Sequence, residues 1–337
     1  MLRRHLGLLA LCLAGSSWMG LAQAAEPALQ FLNRSEAATL MAGPGAQTYF
    51  DAMQGPELVA KTRLDLLNLP LATAREQARA HYASEVQEFS ADEQAMLRWA
   101  VGTLWPTLTE KAPLYARTPW KFAKVSDKVE GGLPHTRGDT IVFSAGLMQN
   151  LLAPYRAGDR SGLLGFLGYL LVHEQTHVLQ RSQSALFDTL ATQVLGFTRI
   201  AAPQTPALLA RGVVNPDAPL SEWIFPLPDA PGQAVLPYLQ LSNLKTPSMP
   251  RDFQMVAVMY RQEQGEWRLQ EREGQPVTQP LLGVAAYVNA FPDRSGLYHP
   301  YEMAADLLSY WLGGRADASA RHTVRLALQA WAAKALQ

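Results

Sequence analysis

The chain has 337 residues, with 29 Lys+Arg against 29 Asp+Glu and 48% hydrophobic residues. That balance gives no case for nucleic acid or an anionic membrane surface as a partner. The length suits one large domain with insertions or two small ones, the apolar share suffices for a proper core, and neither an internal repeat nor a low-complexity tract interrupts the chain.

Arg3 and Arg4, the apolar residues 6–14 and the small-x-small run Ala22-Gln23-Ala24 form the three parts of a secretory signal. Export with cleavage after Ala24 is therefore expected, to the periplasm or, alternatively, by full secretion. Gly15, Ser16, Ser17 and Gly20 make a poor membrane-spanning helix, and Leu11 before Cys12 is not the small residue that a lipoprotein signal needs. Cleavage removes Cys12, the only cysteine, which excludes disulfides, Cys nucleophiles and Cys metal ligands from the mature chain. About 313 residues then remain, with 27 Lys+Arg against 29 Asp+Glu.

Residues 25–119 carry a helical pattern. Residues 73–89 are charged and amphipathic, and a second helix over 90–104 has Ser90 as N-cap with Glu93 three residues on. Pro106, Pro113 and Pro119 are expected to break that rhythm. A strand is predicted within 120–129, a turn at Gly131-Gly132 and Pro134, a second strand over 139–144, and a short helix over 147–152. His135 falls in the turn and could be a ligand, but turn histidines more often face solvent. An exposed strand edge here could hold an extended peptide by main-chain hydrogen bonds; an ordinary core strand is the competing reading.

Residues 163–181 read LLGFLGYLLVHEQTHVLQR, apolar on nearly every face until His173, Glu174 and His177. Residues four apart on a helix share a face, so His173 and His177 can share one metal ion, with Glu174 beside them as a base for a water. The competing reading is an amphipathic helix with a polar edge, but a buried helix rarely carries three ionisable groups without partners. The apolar run 163–172 is too short to cross a bilayer. Residues 184–200 are expected to continue helical. Eight prolines then fall between Pro203 and Pro237, around Trp223, Ile224 and Phe225, predicting an ordered, extended excursion across the surface that could cover the active-site cleft as a lid or wall, and residues 253–261 and 266–272 read as a β-hairpin.

A catalytic zinc site uses three protein ligands and leaves a position for water. The third candidate lies in residues 297–311, LYHPYEMAADLLSYW, where Pro300 suits the first helical position and puts Glu302 in the first turn, with Asp306 four residues on. A ligating Glu302 and an Asp306 that orients a ligand histidine would form two shells. A dipole-favoured carboxylate and a solvated face are the plainer readings, and His299 is a rival ligand.

In order, the strand ending in SAGLM, the helix with HEQTH and the later YEMAAD resemble the gluzincin zinc metallopeptidases. The likeness is to the minigluzincin group, which includes CAAX-type prenyl proteases and soluble periplasmic relatives. It implies a zincin-like core within an α+β, mainly helical fold, the active-site helix lying beside a small sheet. It further implies zinc (Zn2+) on His173, His177 and Glu302, Glu174 as base and Asp306 as support. Thr176 stands where members often carry Gly, the interval from His177 to Glu302 is long, and membrane spans are lacking, so the implied target is a peptide bond without a narrower class.

The expected organisation is a signal at 1–24, a helical region at 25–119 and a catalytic domain at 120–337 with an insertion at about 201–275. The expected activity is zinc-dependent hydrolysis of polypeptide, with Tyr298, His299 or Tyr301 as candidate donors to the oxyanion. A zinc-containing polypeptide-binding or chaperone-like protein and a hydrolase of non-peptide amides are the alternatives.

Overall fold

The computed structural model describes residues 27–291, 296–315 and 322–337, so the expected signal at 1–24 lies outside the described residues. The chain is α+β. Its first sheet joins β1 (Leu29–Phe31), β2 (Val86–Gln87), β3 (Trp120–Val125), β4 (His135–Arg137) and β5 (Thr140–Ser144). β3 runs parallel to β1 and β5, while β2 lies antiparallel to β3 and β4 antiparallel to β5. β5 is thus interior and β4 is the edge.

This sheet is buried on both faces, and the two-residue period of a strand divides its side chains. Trp120, Phe122, Ile141 and Phe143 join the main core, under α4 (Ala91–Lys111) and α7 (Arg160–Ser182). Ala123, Val125 and Val142 face the other way and pack on α1 (Arg34–Ala42), α2 (Gly55–Thr62) and α3 (Leu71–Ser84). α1, α2 and α3 therefore cover one face, and α4 with the HEQTH helix covers the other.

The helix predicted over 90–104 forms with the expected capping box of Ser90 and Glu93, but it runs through Pro106 to Lys111. Pro106 and Gly102 both lie on the exposed face. The carbonyl left without its i+4 donor there faces water, which is where a helix tolerates proline. The short α5 (Pro113–Arg117) follows, then β3, and α6 (Ala145–Arg156) leads from β5 into α7. His135 does not sit in a solvent-facing turn: it lies on β4 and is 1% exposed.

Residues 184–200 are not one helix. α8 (Ser184–Gln193) ends before Gly196, whose φ of +76° belongs to the left-handed region that glycine enters readily. Phe197 then turns into the core, and Thr198–Arg199 pair as a short strand. Most of the Pro-rich stretch is irregular, apart from the short helix Pro206–Leu209, and only β6 (Trp223–Pro226) and the start of β7 (Gln233–Leu241) join a second sheet, beside the hairpin β8 (Phe253–Glu263) and β9 (Glu266–Leu269). α9 (Pro300–Leu312) packs along α7, and α10 (Thr323–Ala335) follows it. A Cβ on Gly168 would come within 2.4 Å of the Gly313 carbonyl oxygen, so glycine at this crossing permits α7 and α9 to meet at backbone contact. Among the described residues no helix is long and apolar enough to cross a membrane.

Candidate metal centre

α7 is held on its apolar side by Leu167, Leu171, Val172 and Leu179, all buried. That packing leaves His173 and His177, one turn apart, facing α9. There Pro300 occupies the first turn, and the N-cap His299 accepts the Tyr301 N–H through Nδ1 at 3.1 Å. Glu302 falls in the first turn, where unsatisfied backbone N–H groups favour a carboxylate.

The two imidazole Nε2 atoms are 3.1 Å apart, and the Glu302 oxygens lie 3.3 Å from His173 Nε2 and 3.6 Å from His177 Nε2. Three donors on a tetrahedral zinc with bonds of about 2.0–2.1 Å would stand about 3.3 Å from one another. The cluster of His173, His177 and Glu302, with one donor atom from each within 4.8 Å of the others, can hold a metal ion. Both imidazoles present Nε2 because Nδ1 is engaged behind. His177 Nδ1 lies 2.7 Å from the Gln180 side-chain oxygen, and Gln180 Nε2 donates to the Tyr301 carbonyl at 2.9 Å, tying α7 to α9. His173 Nδ1 faces Asp306 Oδ1 at 3.1 Å, and the Tyr169 hydroxyl donates to the same oxygen. Partners of this kind fix tautomer and ring orientation. Asp306→Ala is accordingly expected to weaken zinc binding by about 10–100-fold in competition with a chromophoric chelator; unchanged affinity would contradict the role of Asp306.

Burial alone would lower His173 and His177, but Asp306 and Glu302 raise the first and chiefly Glu302 the second, so both hold protons more firmly than a free histidine. A metal must displace those protons. Zinc affinity is therefore expected to rise with pH through neutrality, with proton release visible by calorimetry in buffers of different ionisation enthalpy; a pH-independent affinity with no release would refute this. Burial, and next the Asp217 carboxylate, push Glu174 up to about 8. A divalent cation beside it would draw it back down. Glu174 is 2% exposed, and its Oε2 has no hydrogen-bond partner among the described residues.

The other candidates separate cleanly. His299 uses both ring nitrogens, Nδ1 for the cap and Nε2 3.2 Å from the Leu220 carbonyl, so it is neither a ligand nor an oxyanion donor here. The Tyr301 hydroxyl donates to Asp188 at 2.6 Å, away from the metal side. Tyr298 alone of the three lines the cavity in front of the cluster, a space of about 240 Å³ shared with Tyr169, His173, Glu174, Asn215 and Glu302. Thr176 points the other way, its hydroxyl 2.6 Å from that of Tyr115 on α5.

Four neighbours escaped the sequence reading. Tyr169 and Gln180 lie four residues before His173 and three after His177, a helical spacing that could have flagged them. Asn215 donates to Glu302 Oε1, and Asp217 lies beside Glu174; the NPD run that carries them shows only a turn signal. The chain matches no family model, no curated protein and no solved structure.

Proposed function

We propose that the protein is an exported, periplasmic zinc metallopeptidase with a zincin-like core, acting on polypeptide. The observation that supports this best is the trio of His173, His177 and Glu302, one donor atom of each within 4.8 Å of the others, with a buried carboxylate, Glu174, next to His173 on the same helix. Two imidazoles and one carboxylate oxygen suit zinc, and three ligands are the catalytic complement. When bound, zinc supplies Lewis acidity toward a carbonyl and a water acidic near neutral pH.

The residues of the chain would do the rest. Asp306 and Gln180 hold the two imidazoles with Nε2 forward. Glu174 takes the proton of the attacking water on its carboxylate and passes it to the leaving amine nitrogen. Tyr298, whose hydroxyl burial and the nearby Glu302 hold well above the usual phenol range, keeps its proton and can donate it in a hydrogen bond to the developing oxyanion. The test is hydrolysis of an unfolded polypeptide by the zinc-loaded protein. Chelation should abolish it and zinc should restore it; hydrolysis that survives complete chelation would defeat this reading.

A further inference from the structure

Residues 213–217 cross in front of the metal cluster without regular secondary structure, except that neighbouring Gly212 bridges to Gln240. Each part of this strap is pinned by a different element. The Val214 N–H donates to Glu57 Oε1 at 2.6 Å, and Lys61 Nζ donates to the Val214 carbonyl at 2.6 Å. Glu57 and Lys61 stand one turn apart on α2, each 1% exposed, and offer the strap an acceptor and a donor as a neighbouring strand would. Asn215 Nδ2 donates to Glu302 Oε1 and lies 3.4 Å from the Tyr298 hydroxyl.

The last contact is on the sheet. β4 pairs with β5 on one side only, so the outward groups of Thr136 are those that an incoming extended chain would meet. They are already taken. Asp217 Oδ1 accepts the Thr136 N–H at 2.7 Å, and Arg181 donates to the Thr136 carbonyl at 3.3 Å and to the Pro216 carbonyl at 2.6 Å. An acceptor and a donor from side chains thus replace the pair that a bound strand would provide. The base behind them, Glu174, is shut away from solvent.

We propose that residues 213–217 are an internal occupant of the substrate track, which must leave β4 and Glu302 before an extended polypeptide can pair there. This rests on the peptidase reading, and it makes the folded enzyme largely latent. If the strap-open form is a tenth of the population or less, releasing the strap tightens polypeptide binding by about tenfold or more.

The experiment measures fluorescence anisotropy of labelled, reduced and carboxymethylated casein on zinc-loaded Glu174→Gln protein, which binds without turnover. Two released forms are compared with it: Asn215→Ala/Asp217→Ala, and a chain with a protease recognition sequence inserted after the exposed Leu220 and then cut. The severed form retains every strap side chain, and circular dichroism confirms that both forms stay folded. At least tenfold tighter binding in both is expected. Equal binding in the released and unreleased forms would overturn the strap proposal. Absence of zinc from the reconstituted parent protein would instead overturn the metal reading, and the strap comparison would then be read from the same titrations on the zinc-free proteins.

Discussion

Glu174→Gln is expected to leave equimolar zinc in place and to lower the proposed polypeptide hydrolysis by about 10²–10⁴-fold, the range that a positioned general base contributes. The amide retains the size of the carboxylate, and Glu174 lies on the same helix as His173 and His177 without being one of the three clustered donors. Metal binding and catalysis should therefore separate at this one side chain. The comparison is made at matched zinc occupancy, on the same substrate. A Glu174→Gln protein with full zinc and full hydrolysis would mean that the base lies elsewhere.

Glu130→Ala is expected to have the largest effect on stability, about 3–5 kcal/mol, because it strips the shared partner from buried cations. Glu130 is 1% exposed and lies 3.3 Å from Lys61 Nζ and 2.8 Å from Arg137, with the Tyr82 hydroxyl donating to it at 2.8 Å. Burial alone would raise its carboxyl, but Lys61 and then Arg137 outweigh burial and hold it down at about 2. A carboxyl depressed from an unfolded value of about 4.3 stabilises fully above that value and loses its contribution as pH falls toward 2. Glu57, which burial pushes up, works in the opposite sense. The informative quantity is thus the stability difference between wild type and Glu130→Gln, from urea unfolding at a series of pH values. It should shrink between about pH 4.3 and pH 2; a difference independent of pH would contradict the assignment. Lys61 also holds the strap, so loss of Glu130 should loosen residues 213–217.

The legible parts of this protein are those written in local sequence. The capping box at Ser90, the apolar strand β5, the hairpin of β8 and β9 and the Pro300 start of α9 follow from propensity and periodicity within a few residues. The trio was legible too, since His173 and His177 fix their spacing on one helix and Glu302 opens another. What could not be read depends on contacts between distant segments. Pro106 looked like a helix end because its exposure, not its identity, decides the cost. His135 looked like a solvent-facing turn residue because its place on an edge strand is set by pairing with Val142. That the Pro-rich stretch could wall the cleft was legible, but the residues through which it meets the site were not. Asn215 and Asp217 are ordinary turn residues in sequence, and only the fold brings them, across more than 80 positions, to Glu302 and Thr136. His299 and Tyr301 sit close to the ligand in sequence but face Leu220 and Asp188.

The most direct test of the metal centre is the zinc content of the purified protein beside His173→Ala, Glu302→Ala and His299→Ala variants, each checked for folding by circular dichroism. Equimolar zinc is expected in the wild type, with its loss in His173→Ala and in Glu302→Ala and its retention in His299→Ala. A folded wild-type protein that takes up no zinc at neutral pH after reconstitution, or one whose zinc survives both ligand substitutions, would contradict this.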